Sequence, residues 1–161
     1  MNRTSLTITP IGVVHSPFAT AAGMPIQAAF SDVVARVEIY PEYAEGLADV
    51  AGFDYLVLLY YFHLAPRESL RVKPFLDDQM RGVFATRAPT RPNRIGLSVV
   101  QLRRVEANVL EIGNADMVSG TPVLDVKPYV PEFDARPRGR VGWFEGKLSG
   151  APSMRADGRM R

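Results

Sequence analysis

The feature that most restricts this chain is its punctuation. Short runs of apolar and β-branched residues recur along it, and glycine, proline or asparagine breaks each one before it reaches the length of an amphipathic helix. Tyr55 to His63 is the most apolar run and is rich in aromatic and branched residues. It reads as a central strand covered on both faces. Val33, Ala35, Val37 and Ile39 fall on one face of a second strand, with Arg36 and Glu38 on the other. Further strand-like runs are Thr7 to Val14, Gly82 to Thr86, Ile95 to Val105, Ala107 to Ile112 and Val123 to Tyr129. Pro41, followed by Glu42 and Glu45, predicts one short helix through about Ala51, stopped by Gly52. Ala65 to Met80 reads as a loop or an excursion from the core. The expectation is a mainly all-β fold, an antiparallel barrel or sandwich with one short helix and long loops.

A chain of 161 residues suits one domain with a real core. We expect that domain over residues 1–145 and a loose basic tail over 146–161, where Pro, Gly and Arg dominate. No cysteine is present, which excludes disulfides, thiolate zinc sites and thiol catalysis. With only His15 and His63 as histidines, no metal site is expected. The start of the chain lacks the apolar core of a signal peptide, and Tyr55 to Phe62 is too short to cross a bilayer, so the expected location is the cytoplasm, with no membrane partner. No strand–turn–helix carries a GxGxxG pattern, so an ordinary Rossmann cofactor site is unsupported.

The formal net charge is only +2, but it is unevenly spread. Asp32, Glu38, Glu42, Glu45, Asp49 and Asp54 make the first third acidic, while arginines and lysines gather from Arg71 onward. That asymmetry suits a phosphate-bearing partner, or simply a solvated surface.

Two segments carry chemistry. The first runs from Gly82 to Ser98 and holds Arg87, Arg91, Asn93 and Arg94 between two strand-like runs, with Pro89 and Pro92 stiffening the backbone. Asn93 can both donate and accept, and Arg87 and Arg91 can hold a carboxylate or phosphate by paired donors. The plainer alternative is a stiff surface loop with arginines in water. The second segment is Gly120 to Tyr129, where Asp125, Lys127 and Tyr129 alternate and so share one face of a strand. They could orient a polar substrate or manage a proton, or be the salt-bridged outer face of a sheet. His63 closes the most apolar strand, where a lone histidine is commonly a hydrogen-bonded core residue. A triad of Ser98, His63 and Asp125 can be drawn on paper, but no nucleophile elbow supports it.

Taken in order, these segments resemble the TrmO, or TsaA-like, family of S-adenosylmethionine-dependent tRNA methyltransferases. The resemblance covers roughly Ile11 to Phe144. It rests on Ile11-Gly12-Val13-Val14-His15-Ser16-Pro17-Phe18, Met24-Pro25-Ile26-Gln27, Phe62-His63, the Arg-Pro-Asn-x-Ile-Gly-Leu-Ser pattern ending at Ser98, and Gly-Thr-Pro-x-Leu-Asp-x-Lys-Pro-Tyr ending at Tyr129. It implies a compact non-Rossmann β-barrel acting as a homodimer, with S-adenosylmethionine as cofactor and tRNA as partner. The implied reaction is methylation of the exocyclic amine of threonylcarbamoyl-adenosine beside the anticodon.

The resemblance also implies site residues. Pro25, Ile26, Gln27, His63, Leu64, Arg87 and Leu97 would lie in cofactor-binding segments, with Asn93 beside the pocket. Val118, Ser119, Gly120 and Thr121 would form another such segment. Two positions depart from the family pattern: Arg94 stands where Pro is common, and Ser119 where Asp is common. Longer members carry a small C-terminal domain that this chain is too short to hold. The expected chemistry is direct in-line methyl transfer, in which the protein's task is to position the amine. Asp125 is the first candidate to accept or orient its proton, then Tyr129, while Lys127 would hold a carboxylate or phosphate. Arg91, Arg94 and Arg103 are candidates for the RNA backbone. A small-molecule methyltransferase of the same fold, or a non-catalytic barrel that binds cofactor or RNA, are the alternatives.

Overall fold

The structure, a computed structural model, describes residues 4–157. Eight strands form: β1 (Gly12–His15), β2 (Ala35–Ile39), β3 (Tyr55–Tyr61), β4 (Arg71–Val72), β5 (Arg81–Gly82), β6 (Ile95–Glu106), β7 (Val109–Gly113) and β8 (Pro122–Pro128). Six of them close into a barrel in the order β1-β2-β7-β6-β3-β8, with every neighbouring pair antiparallel. Closure leaves the barrel without an unpaired edge. Strands β4 and β5 form a separate two-stranded ribbon inside the long β3–β6 connection. A single turn of α-helix, α1 (Pro131–Asp134), follows β8.

The two-residue period of each strand decides what lies inside. Val14, Val37, Ile39, Leu56, Leu58, Val100, Leu110, Ile112 and Val123 all point inward and are at most 1% exposed. Strand β2 keeps the predicted face, with Ala35, Val37 and Ile39 buried. Strand β3 differs from expectation. Leu56, Leu58 and Tyr60 are buried, but Val57, Leu59 and Tyr61 on the other face are only half-buried. Its apolar outer side has partial cover within one chain.

Other boundaries also moved. The first strand begins at Gly12, not Thr7. The predicted helix after Pro41 is two 3-10 segments, Pro41–Leu47 and Val50–Gly52, separated by Asp49 at φ 64°. Val83–Ala85 is a 3-10 turn, not a strand. The segment expected to be a loose tail instead packs, through residue 157, on the β1–β2 connection. Leu148–Ser153 is a 3-10 helix with Ala151 fully buried. Beyond it, the Gly23 amide donates to Ala156 O at 2.9 Å and the Ala156 amide to Met24 O at 2.8 Å. The last part of that expected tail, 158–161, lies outside the described residues. Trp143 is a second anchor of the C-terminal segment. Its indole donates to Ala85 O at 2.7 Å, and its ring stacks on Phe144. Arg81 and Lys147 lie over the same ring and both pair with Asp77, whose carboxyl their cations hold far below the ordinary range.

Candidate functional site

Antiparallel closure has a simple consequence for the loops. The β1–β2, β3–β6 and β7–β8 connections all leave from one end of the barrel. Pro25, Ile26 and Gln27 are on the first of these, and His63, Leu64, Arg87 and Asn93 on the second. Val118 to Thr121 are on the third, and Leu97 is the third residue of β6 at the same end. Segments scattered over the sequence thus share one end of the molecule.

Contacts tie these loops together. Arg87 Nη1 donates to Gln27 Oε1 at 3.0 Å, joining the first connection to the second. Gly120, at φ +83°, brings its backbone close to the second: a Cβ there would sit 3.8 Å from His63 Nε2. The Ser119 amide donates to Phe18 O at 2.7 Å and the Gly120 amide to Val14 O at 2.8 Å. Ser16 Oγ donates to Met117 O at 2.7 Å. Leu64 and Leu97 are 55% and 45% exposed, so this end offers apolar surface beside the polar groups.

Beneath the loops lies a buried polar chain that sequence reasoning missed. Ser98, 2% exposed, donates to Asp116 Oδ1 at 2.7 Å. Since that bond uses the serine proton, the Tyr60 hydroxyl, 3.0 Å from Ser98 Oγ, is the donor to it. Burial, then the nearby Asp116 charge, pushes the Tyr60 hydroxyl well above its ordinary range. Burial likewise pushes the Asp116 carboxyl up to about 6, against opposing hydrogen bonds from Ser98 and the Ala28 amide. The adjacent Gly96 is explained by the same chain: a Cβ on it would meet the Tyr60 ring at 2.3 Å. A signal for this network did exist. Ser98 falls on the inward face of β6 between Gly96 and Val100, where a hydroxyl needs a partner.

The predicted catalytic face is elsewhere. Asp125 and Lys127 point outward from β8, opposite Leu59 and Val57 of β3, and their side chains form an ion pair of 2.7 Å. Asp125 also accepts from the Val126 amide at 2.9 Å. The Tyr129 ring meets Tyr55 edge to face at the far end of β3. At about 3.3 Å per strand residue, Asp125 is about 13 Å along the chain from Thr121 and Tyr129 about 26 Å. Within one chain, these three residues therefore run away from the three-loop end. The triad drawn on paper does not form: Ser98 is inside the barrel, bonded to Asp116, whereas Asp125 is outside it.

The arginines also separate. Arg91 is spent on the loop itself, donating to Ala88 O and Val83 O at 3.0 Å each and to Thr86 O at 2.5 Å. These bonds make it a clamp of the loop. Arg103 is the extra residue where the β6–β7 register shifts, with its guanidinium beside Gly113. Arg94 adopts φ 50°, and its amide donates to Arg91 O at 3.1 Å. Proline can do neither, so a family member with proline here must route the loop differently. Two surface grooves of about 500 and 630 Å³ open on the barrel: the first includes Asp125, Glu42, Glu45 and Tyr43, and the second runs from Ser16 and Pro17 of the β1–β2 connection along the outer wall to Glu38 and Val109. Among the described residues no group of three metal-ligating side chains is found, and no helix is long and apolar enough to cross a membrane.

These features define a class: a closed six-stranded antiparallel barrel whose polar and apolar recognition groups sit on three loops at one end. The family model for the tRNA-methyltransferase O N-terminal domain matches residues 13–135, and the chain belongs to that family. It is 48% identical over 151 residues to a probable S-adenosyl-L-methionine-binding protein of Pyrococcus abyssi, covering 93% of this chain and 82% of that protein. It is 35% identical over 134 residues to the human tRNA (adenine(37)-N6)-methyltransferase, covering 78% of this chain but 30% of that protein. The crystal structure of TrmO from Pseudomonas aeruginosa superposes with a TM-score of 0.74 at 36% identity, over 87% of this chain and 63% of that one. The chain thus spans less than two thirds of the TrmO structure it matches.

Proposed function

We propose that this chain binds S-adenosylmethionine at the three-loop end of its barrel and transfers the methyl group to the exocyclic amine of an adenine in tRNA. The observation that carries the reading is the convergence of Pro25–Gln27, His63–Leu64, Arg87 and Val118–Thr121 on one end, in a chain of this family. The residues there suit the cofactor's chemistry. Leu64 and Leu97 offer faces for an adenine ring, the Gln27–Arg87 pair offers donors and acceptors for an amino-acid moiety, and Asp116 supplies negative charge for a cation. When bound, the cofactor supplies a methyl group already activated by its sulfonium.

The protein's share is positioning and proton management. Asp125 is the carboxylate we assign to orient or accept the proton of the amine, with Tyr129 as the second candidate. Lys127, now seen paired with Asp125, holds that carboxylate in place. Because these residues run away from the cofactor end within one chain, the reading includes a homodimer. A second copy would seat on the outer face where Val57, Leu59 and Tyr61 of β3 are half-buried and Leu97 of β6 is exposed. It would bring its own Asp125 toward the loops of the first. The target we favour is threonylcarbamoyl-adenosine beside the anticodon, with the cytoplasm as the place of action and Arg94 near the RNA backbone.

The test is calorimetric titration of S-adenosylmethionine into the wild type and Arg87→Ala, followed by methyl transfer to tRNA with and without the threonylcarbamoyl group. The reading expects binding that Arg87→Ala weakens and transfer only to the modified tRNA. Absence of binding by the folded wild type contradicts it. Transfer to a small molecule alone would favour the other methyltransferase reading.

A further inference from the structure

Asp116 lies where three parts of the cofactor end meet. It belongs to the β7–β8 connection and accepts the Ser98 hydroxyl of β6 at 2.7 Å; its neighbour Ala115 accepts the Ser31 hydroxyl of the β1–β2 connection at 2.6 Å, which brings the carboxyl under the influence of the amide of Ala28, the residue after Gln27. Gln27 in turn accepts from Arg87 of the β3–β6 connection. The charged or titratable groups facing the carboxyl are Tyr60 from β3 and Arg87. No ion pair closes on it among the described residues.

Such a group is a poor choice for stability alone. Its carboxyl titrates at about 6 in the folded chain, against 3.8 as its ordinary value. The folded state therefore binds the proton more tightly than the unfolded one. The stability this gives is full below about 4 and is lost as the pH rises to about 6. At neutral pH the fold therefore carries a buried ionised carboxylate, held by the Ser98 hydroxyl at 2.7 Å.

We propose that Asp116 is a positioning residue for the cofactor: its carboxylate pins the Gln27–Ala28 turn to β6 and so fixes the Gln27–Arg87 pair at the mouth of the site. Asparagine keeps the shape but replaces one accepting oxygen with a donor, which cannot receive both Ser98 and the backbone amides. Protonation does the same to the native residue. The inference rests on the cofactor reading above, and its test separates the two.

Affinity for S-adenosylmethionine is measured by calorimetry from pH 5 to 8 on wild type, Asp116→Asn and Asp116→Glu, with the melting temperature of each unliganded protein recorded alongside. The wild type should lose affinity as the pH falls through about 6. Asp116→Asn should bind about tenfold more weakly at pH 8. Its affinity should lack the acid-side fall, and its melting temperature at pH 8 should be no lower than the wild type's. Asp116→Glu, which restores the charge, should recover part of the pH dependence. Wild-type affinity and pH profile in Asp116→Asn would overturn the proposal. So would a loss of binding matched by a loss of melting temperature, which would mark a purely structural role. Should Asp116→Asn not fold, a flat wild-type pH profile would overturn it. Failure of the wild type to bind at any pH would remove the cofactor reading and this inference with it.

Discussion

The two carboxylates Asp116 and Asp125 show how differently one barrel can use the same side chain. Asp116 sits under the loops, reached by hydrogen bonds from Ser98 and Ala28, with burial shifting its titration. Asp125 sits on the outer wall, 40% exposed, with Lys127 beside it. The inner carboxylate sets the geometry of its surroundings because nothing else can satisfy the groups around it. The outer one is screened by water and leaves the fold almost indifferent to its presence. The lesson is that strand alternation sorts residues into two chemical environments, and each environment admits a different role.

That contrast can be broken or sharpened by substitution. The largest effect should come from the inner side at Gly96. Gly96→Val forces a side chain into the Tyr60 ring and should cost about 3 kcal/mol or more, read by urea unfolding. A cost near zero would mean that the ring has room to move and that the network is loose. Tyr60→Phe removes one donor to Ser98 and should cost about 1 kcal/mol by the same measurement. Arg91→Ala should destabilise by a comparable ~1–2 kcal/mol through its three carbonyl bonds. It should leave the salt dependence of tRNA binding unchanged, whereas a reduced salt slope would return Arg91 to the RNA-binding set. Where the chain is monomeric, the smallest stability effect should be that of Lys127→Ala on the outer wall, about 0.5 kcal/mol or less; in the proposed homodimer, which covers this face, the effect should be larger. A loss above about 2 kcal/mol would place that pair in a buried interface, as a tight dimer through this face would require.

Much of this was legible in advance. The barrel strands followed from alternation and turn residues, because a closed antiparallel sheet imposes a two-residue period on nearly every element. Strand β2 is the clearest case, with Ala35, Val37 and Ile39 all facing the core. The ends of the elements were not legible. The residues after Pro41 carry helix-start signals, yet they fold as 3-10 turns divided at the left-handed Asp49. The C-terminal segment looked loose because Pro, Gly and Arg dominate it, but Trp143 and Ala151 anchor it through contacts distant in sequence.

For the site, sequence placed the cofactor candidates in segments that the barrel gathers at one end. It missed Asp116, because Asn114-Ala115-Asp116-Met117 reads as an ordinary turn and only the tertiary register sets the carboxyl beneath Ser98. It also grouped Asp125, Lys127 and Tyr129 on one face; Asp125 and Lys127 do share the outer face of β8, but alternation says nothing about the distance from that face to the loops.

The central claim is that the three connections at one end of the barrel form the cofactor site. Backbone amide chemical shifts recorded with and without S-adenosylmethionine test it most directly. The account predicts that the large changes fall on residues 24–28, 62–64, 87–98 and 116–121, with the far end near Asn108 and Tyr129 unmoved unless the dimer carries it into the site. Changes centred on the groove around Glu42, Tyr43 and Glu45, with the three connections silent, would contradict it.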